Sequence, residues 1–259
     1  MKDKVAQKLK EIEKEKQIKI LFACESGSRA WGFSSPDSDF DIRFIYIHKI
    51  SFYLSIERKY EQIEIKENHF DLLGWDLKKA LHLLRKSNPS ILEWINSPVV
   101  YYKENEFFEK LKQLSKISFN SKTLIYHYLG MAKQNSKYLL KEEIKIKIYL
   151  YILKSLFSLD WIERNESVPP VEFDKLYNSA ILDPEIKKII DFLLKKKKIT
   201  EEETIHKSKI LNEFIFKKIN YYEEFLKKYD FKMDLPDASK FDKFFQENLK
   251  RFDKEFCSK

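Results

Sequence analysis

Asp39 and Asp41 stand two residues apart in "SDFDIRF", and a Gly27-Ser28 pair lies eleven residues upstream of Asp39. On an extended chain, residues two apart point to the same face, so this spacing sets two carboxylates side by side. Adjacent carboxylates repel, and the repulsion is costly near a core unless a cation separates them. Magnesium suits such a pair, because it takes a few carboxylate oxygens and completes its shell with waters and phosphates. Gly27 lets the chain turn sharply and brings the backbone close to a ligand. A helix starting there would point unpaired N–H groups at an anion. The Ser28 hydroxyl can donate to the same group, and Arg29 follows it. Arg43 shares the face of the aspartates and can balance their charge or grip a phosphate. Ser38 can bind metal or phosphate, or cap the start of the strand. The combined chemistry is metal-assisted handling of a phosphorylated ligand. The plainer alternative is an ordinary turn followed by a solvent-facing edge strand with exposed acids.

Composition favours the first reading of this window. The chain has 4 glycines in 259 residues, where average usage would give about 18. Gly27 and Gly32 are two of them, and Arg29 and Arg43 are two of only six arginines. Gly32 is placed to end a short helix in a left-handed conformation.

The surrounding periodicities give the elements that must carry these groups. Residues 2–17 read as an amphipathic helix with Val5, Leu9 and Ile12 on one face. "IKILFACES" reads as a buried strand and "SDFDIRFIYIH" as an alternating one. Further strands are expected at "KYEQIEIK" and "HFDLLGW". From Asp76 the period turns helical, and a short helix follows in "SNPSILEWINSP", with Asn88 as its cap and Pro89 at its first position. Beyond residue 104 helices are expected over 104–117, 121–141, 143–165, 171–180, 184–197, 201–229 and 238–256. The fold class is α+β, with an α/β domain over 1–103 and an α-helical domain over 104–259. The "KKKK" run at 195–198 reads as a solvated helix end.

A hydrophobic fraction of 43% and an aromatic fraction of 15% mark a folded globular chain. The net charge of +8 suits anionic partners such as nucleotides or RNA, although solvated lysines alone account for such a total. No apolar run approaches a membrane span, and the charged N-terminal segment has no signal-peptide core, so a soluble cytoplasmic protein is expected. Cys24 and Cys257 show no metal or disulfide spacing, and Cys24 reads as a buried apolar group. The five histidines show no paired ligand spacing, which argues against zinc.

The string "ESGSRAWGF…SDFDIRF" resembles the DNA polymerase β-like nucleotidyltransferase superfamily, in its bacterial branch of RNA-ligase-associated (RlaP, YcgL-type) nucleotidyltransferases. "GWDLKKAL", "RKSNPSILEW", "NSPVVYY", "YHYLGMAKQN" and "KIYLYILKSL" extend the likeness over roughly residues 20–175. The resemblance implies a mixed β-sheet with helices, followed by the helical domain. It also implies transfer of an NMP from an NTP to an acceptor hydroxyl, with release of pyrophosphate.

On that basis Asp39 and Asp41 would hold two Mg2+ ions, with Mn2+ as the alternative. A third carboxylate on a neighbouring strand would ligate the catalytic ion. Asp71 is the best match, with Asp76 and Glu64 as competitors. Gly27, Ser28 and Arg29 would hold the triphosphate. Lys147, Tyr151 and Lys154 recur at i, i+4 and i+7 as a face toward the nucleotide, or as a solvated stripe. Lys154 departs from the arginine expected there and loses its bidentate fork. The acceptor would be an RNA end, a protein side chain or a small molecule. Two rivals stand beside this reading: nucleotidylation of a protein partner, and a non-catalytic RNA-binding regulator with the same fold.

Overall fold

Helix α1 (Lys2–Lys16) buries Val5, Leu9 and Ile12, the three residues its spacing singles out. In the computed structural model, residues 2–57, 59–228 and 235–257 are described, with side chains described through Lys254. After α1 come β1 (Lys19–Glu25), α2 (Gly27–Trp31), β2 (Phe40–Ile47), α3 (Ile50–Tyr53), β3 (Gln62–Glu67) and β4 (Phe70–Asp76). Then follow α4 (Leu77–Arg85), α5 (Pro89–Ile95), β5 (Val100–Lys103), α6 (Asn105–Ile117), α7 (Ser121–Ser136), β6 (Glu143–Lys145) and α8 (Ile146–Asn165). The chain continues through α9 (Phe173–Ser179), α10 (Pro184–Lys197), β7 (Thr204–His206), α11 (Lys209–Lys228) and α12 (Ala238–Cys257).

These elements form two compact units. The first comprises residues 1–27, 39–118 and 235–259. Its five-stranded mixed sheet has the order β3-β4-β2-β1-β5, in which β2 and β4 are parallel and the other pairs antiparallel. Ile42, Phe44, Tyr46 and Leu72 pack with α1 on one sheet face. Asp41 and Arg43 alternate with them and so face the other way. Strand β5, a Val-Tyr-rich edge, was not among the expected strands.

The second unit comprises residues 28–38 and 119–234. Helices α7 and α8 are its central pair. Segment 28–38 packs within it: Phe33 meets Phe173 edge-on at 5.5 Å, and Trp31 meets Tyr151 at 5.0 Å.

These units differ from the expected division at 1–103 and 104–259. Helix α6 belongs to the first unit, where Phe108 stacks on Phe22 at 4.9 Å. Helix α12 also belongs there, with Phe244 stacked on Phe107 at 5.4 Å. A helical stripe shows that a face is buried but not which element covers it.

Three expected helices are shorter than their periodicity suggested. Residues 143–145 pair with 204–206 as the antiparallel ladder β6–β7, so α8 and α11 start later than 143 and 201. The helix from 121 turns to 3-10 geometry at Lys137–Leu140. Tyr229, the last residue of the helix expected over 201–229, and the Cys257 side chain lie outside the described residues. Cys24 is fully buried, and burial pushes its thiol pKa up. No described helix is long and apolar enough to cross a membrane.

Candidate active site

The parallel pairing of β2 with β4 sets Asp41 opposite Asp71, with Asp39 two residues before Asp41. Arg43 bridges the two strands. Its guanidinium donates to Asp41 Oδ1 at 2.9 Å, to the Asp71 backbone carbonyl at 2.8 Å and to Asp71 Oδ1 at 3.4 Å. Asp39 is the most exposed of the three acids, and His69 Nδ1 lies 3.6 Å from its Oδ1. Arg43 thus bonds the carboxylates themselves, the charge-balancing alternative of the two expected for it.

Two neighbours fix Asp41 further. Gly27 has φ +58°, and a Cβ built on it would fall 2.0 Å from Asp41 Oδ2. Only glycine therefore leaves room for the carboxylate. The buried Glu25 side chain accepts from the Asp41 backbone N–H at 2.7 Å and from the Tyr101 hydroxyl. Sequence reasoning missed Glu25, and its one signal is an acid at the end of an otherwise apolar strand.

Burial raises the Asp41 carboxyl above its ordinary pKa; Arg43 opposes this, while Asp71 and Asp39 add repulsion. A cation placed among these acids would relieve both the desolvation and the repulsion. Their oxygens are the hard donors that magnesium takes, so the donor set fits that ion. Among the described residues, no three His, Cys, Asp or Glu side chains are already drawn together as a metal cage.

The competing acids lie elsewhere. Asp76 is buried at the far end of β4 and caps α4, accepting from Lys78 N–H at 2.9 Å and from the Tyr53 hydroxyl at 2.6 Å. Glu64 is exposed on β3 opposite Leu73, two register positions from Asp71.

The remaining candidates belong to the second unit. Gly32 has φ +89° and ends α2 as its position suggested, its N–H bonding the Ser28 carbonyl at 3.1 Å. Ser28 is buried, and Arg29 Nη2 donates to the Ser38 carbonyl at 2.6 Å. The Ser38 hydroxyl donates to Glu201 at 2.7 Å.

The stripe on α8 is neither solvated nor a bare nucleotide face. Lys154 is 4% exposed, with its ammonium 4.6 Å from the centre of the Trp31 ring and 5.7 Å from that of Tyr128. Tyr151 also packs on Trp31, while Lys147 lies 3.6 Å from Glu201 and 3.7 Å from Glu202. Within the "KKKK" run, Lys197 is fully buried and pairs with Glu201, contrary to the solvated helix end expected. Burial pushes the Glu201 carboxyl up, but the bonds from Lys197 and Ser38 outweigh it and hold the pKa below its usual value.

Comparison with known proteins gives the class. The chain belongs to the RlaP family, described as an RNA repair pathway DNA polymerase beta family, which matches residues 1–247. Among individual relatives, it is 43% identical over 204 residues to the uncharacterized protein YcgL of Bacillus subtilis (strain 168), covering 78% of each chain. A nucleotidyltransferase-like protein from Exiguobacterium sibiricum 255-15, solved at 1.90 Å resolution, aligns over 95% of this chain and 79% of its own. That alignment has 14% identity and a TM-score of 0.31, too low to bear on the site.

Proposed function

We propose that this protein is a magnesium-dependent nucleotidyltransferase that moves an NMP from an NTP onto an acceptor hydroxyl, here an RNA end. The observation that carries the reading is the register of Asp41 against Asp71, with Asp39 just before the start of β2 and Gly27 leaving space beside Asp41. Asp39, Asp41 and Asp71 would hold the metal ions, Mn2+ serving as a substitute for Mg2+. Bound there, such ions acidify an acceptor hydroxyl and stabilise a departing pyrophosphate.

This chain's side chains supply the rest. Asp71 helps take the proton from the acceptor hydroxyl, the acceptor oxygen bonds to the α-phosphorus, and the bond to the β-phosphate bridge breaks. Arg43 holds Asp41 and Asp71 at a common orientation while the charges around them change. Gly27, Ser28 and Arg29 hold the triphosphate. On α8, Tyr151 and Lys154 hold Trp31, and the Lys147 side chain is 29% exposed beside Glu201 and Glu202.

An RNA acceptor is supported by the family's RNA-repair description and by the net charge of +8. A cleft of about 930 Å³ in the first unit, at the Asp76 end of β4, adds Lys59, Lys78 and Lys79 beside Tyr60 and His82, cations and rings suited to the phosphates and bases of a longer RNA. The test is incubation with each labelled NTP, Mg2+, total RNA and lysate, with Asp39→Ala/Asp41→Ala as control. Label entering RNA and vanishing in the control is the expected result. Label in a protein band would move the acceptor to a polypeptide. No nucleotide transferred or bound would overturn the reading and favour a non-catalytic RNA-binding regulator.

A further inference from the structure

Within the second unit, the turn Ser35–Ser38 is gripped by the residues that follow α10. Ser38 N–H bonds the Ser35 carbonyl at 3.2 Å, and Ser35 N–H bonds Ser38 Oγ at 3.0 Å, closing the turn on itself. One oxygen of Glu201 then collects Ser38 Oγ at 2.7 Å, Ser35 Oγ at 3.3 Å and the Lys197 ammonium. Lys197 Nζ also donates to Ser35 Oγ at 3.3 Å. The grip is reciprocal: Asp37 accepts from Thr200 Oγ1 at 3.0 Å and from Glu201 N–H at 3.1 Å.

A fully buried lysine paired with a carboxylate is a costly way to join two loops. Replacing such a pair by apolar groups often leaves stability unchanged, so its presence is weak evidence for a purely stabilising role. What the pair does supply is direction. A carboxylate accepting several donors fixes the rotation of the turn, and the Ser38 carbonyl in turn receives Arg29 Nη2 at 2.6 Å. Arginine carries high rotamer entropy, and holding its planar fork in advance reduces what a ligand must order.

We propose that Glu201, held by the buried Lys197 ammonium, is a positioning residue for nucleotide binding that acts through Ser38 to set the place of the Arg29 guanidinium. The inference rests on Arg29 as a triphosphate ligand. It adds two residues more than 150 positions downstream of Arg29, one of them from the basic run that the sequence reads as a solvated helix end.

The test uses the full chain and the NTP that the wild type transfers best. Because Glu201→Gln strands a buried charge, Lys197→Met/Glu201→Gln serves as the second variant. An interaction that holds the substrate equally in ground and transition states raises KM and spares kcat. The expected result is a KM for NTP raised about tenfold with kcat within about twofold. Amide exchange over residues 28–38 should also be faster.

Coupling to Arg29 is read by a double-mutant cycle: in an Arg29→Ala background the same substitutions should add nothing to KM. An unchanged KM, a fall in kcat alone, or an equal loss in the Arg29→Ala background would overturn the proposal. Exchange at wild-type rates would overturn it as well. A wild type that neither binds nor transfers any NTP would instead overturn the nucleotidyltransferase reading itself.

Discussion

Gly27 leaves the Asp41 carboxylate a space that a side chain at position 27 would fill. In Gly27→Ala, the new methyl meets Asp41 Oδ2 at 2.0 Å in a backbone region that L residues rarely adopt. The carboxylate has to move, and a displacement of about 1 Å at a reacting centre costs on the order of 100-fold in rate. The expected outcome is loss of nucleotidyl transfer with a smaller loss of stability, checked by kinetics beside urea unfolding. Asp76 gives a separate prediction, because burial raises its pKa from 3.8 to about 6, against the opposing bonds from Tyr53 and the Lys78 amide. The folded state therefore holds this proton more tightly than the unfolded chain does. Its stabilising contribution is complete below about pH 4 and is lost as the pH rises through about 6. Asp76→Asn removes that dependence while keeping an acceptor for Lys78 N–H. Urea unfolding at pH 4.5 and pH 7 should show the variant gaining on the wild type at the higher pH, by about 2 kcal/mol. Equal differences at both pH values would sink this assignment.

Among the elements, α5 is the one whose local chemistry is most completely legible. Asn88 Oδ1 accepts from Ser90 N–H at 3.0 Å and Ile91 N–H at 3.3 Å, and Pro89 occupies the first helical position. Asn88→Ala should cost about 1 kcal/mol, seen as a melting temperature lowered by roughly 2–4 °C, with KM for NTP unchanged. The ladder β6–β7 is the opposite case. Glu143–Lys145 and Thr204–His206 lie beside helices in sequence and carry mixed preferences, so nothing local separates them from the helices that follow. Their pairing comes from a partner some sixty positions away, which periodicity within either segment does not report. The stripe on α8 shows the same limit: its spacing was readable, while Trp31 as the group it would hold was not.

At the scale of the whole molecule, the chain crosses between units more often than a single boundary would require. Helix α12 completes the first unit: Phe241, Phe244 and Phe252 are buried, and Arg251 pairs with Glu104 and Glu106 at 2.8 and 2.9 Å. Burying a phenylalanine contributes about 1.5–3 kcal/mol, and the three together rival the 5–15 kcal/mol that keeps a typical domain folded. Removing residues 235–259 should therefore unfold the first unit or lower its melting temperature sharply, which calorimetry would show. Survival of the truncated chain at the wild-type melting temperature would contradict this packing. The charge of +8 carries a different prediction. If RNA is the acceptor, its KM should rise steeply with salt as counterion release is lost, and far more steeply than the KM for NTP.

By itself the sequence determined what local spacing can encode. That includes the paired aspartates, the glycines at both ends of α2, the buried stripe of α1, the Asn88 cap and an α+β layout. Each depends on residues within one or two turns of one another, where chain geometry dictates direction. Family-like motifs pointed to Asp71 as the third acid, but its alignment with Asp41 is a matter of strand register, which requires two strands to meet. Only the tertiary structure decided that Arg43 bridges those acids, that Glu25 bonds the Asp41 amide, and that one lysine of a basic run is buried. A charged side chain reads as solvated until a partner is brought to it. For Lys197 that partner set is a carboxylate four residues on and a serine from the other end of the chain. Such partners are chosen by long-range packing, whose energy exceeds the local preference of any short segment.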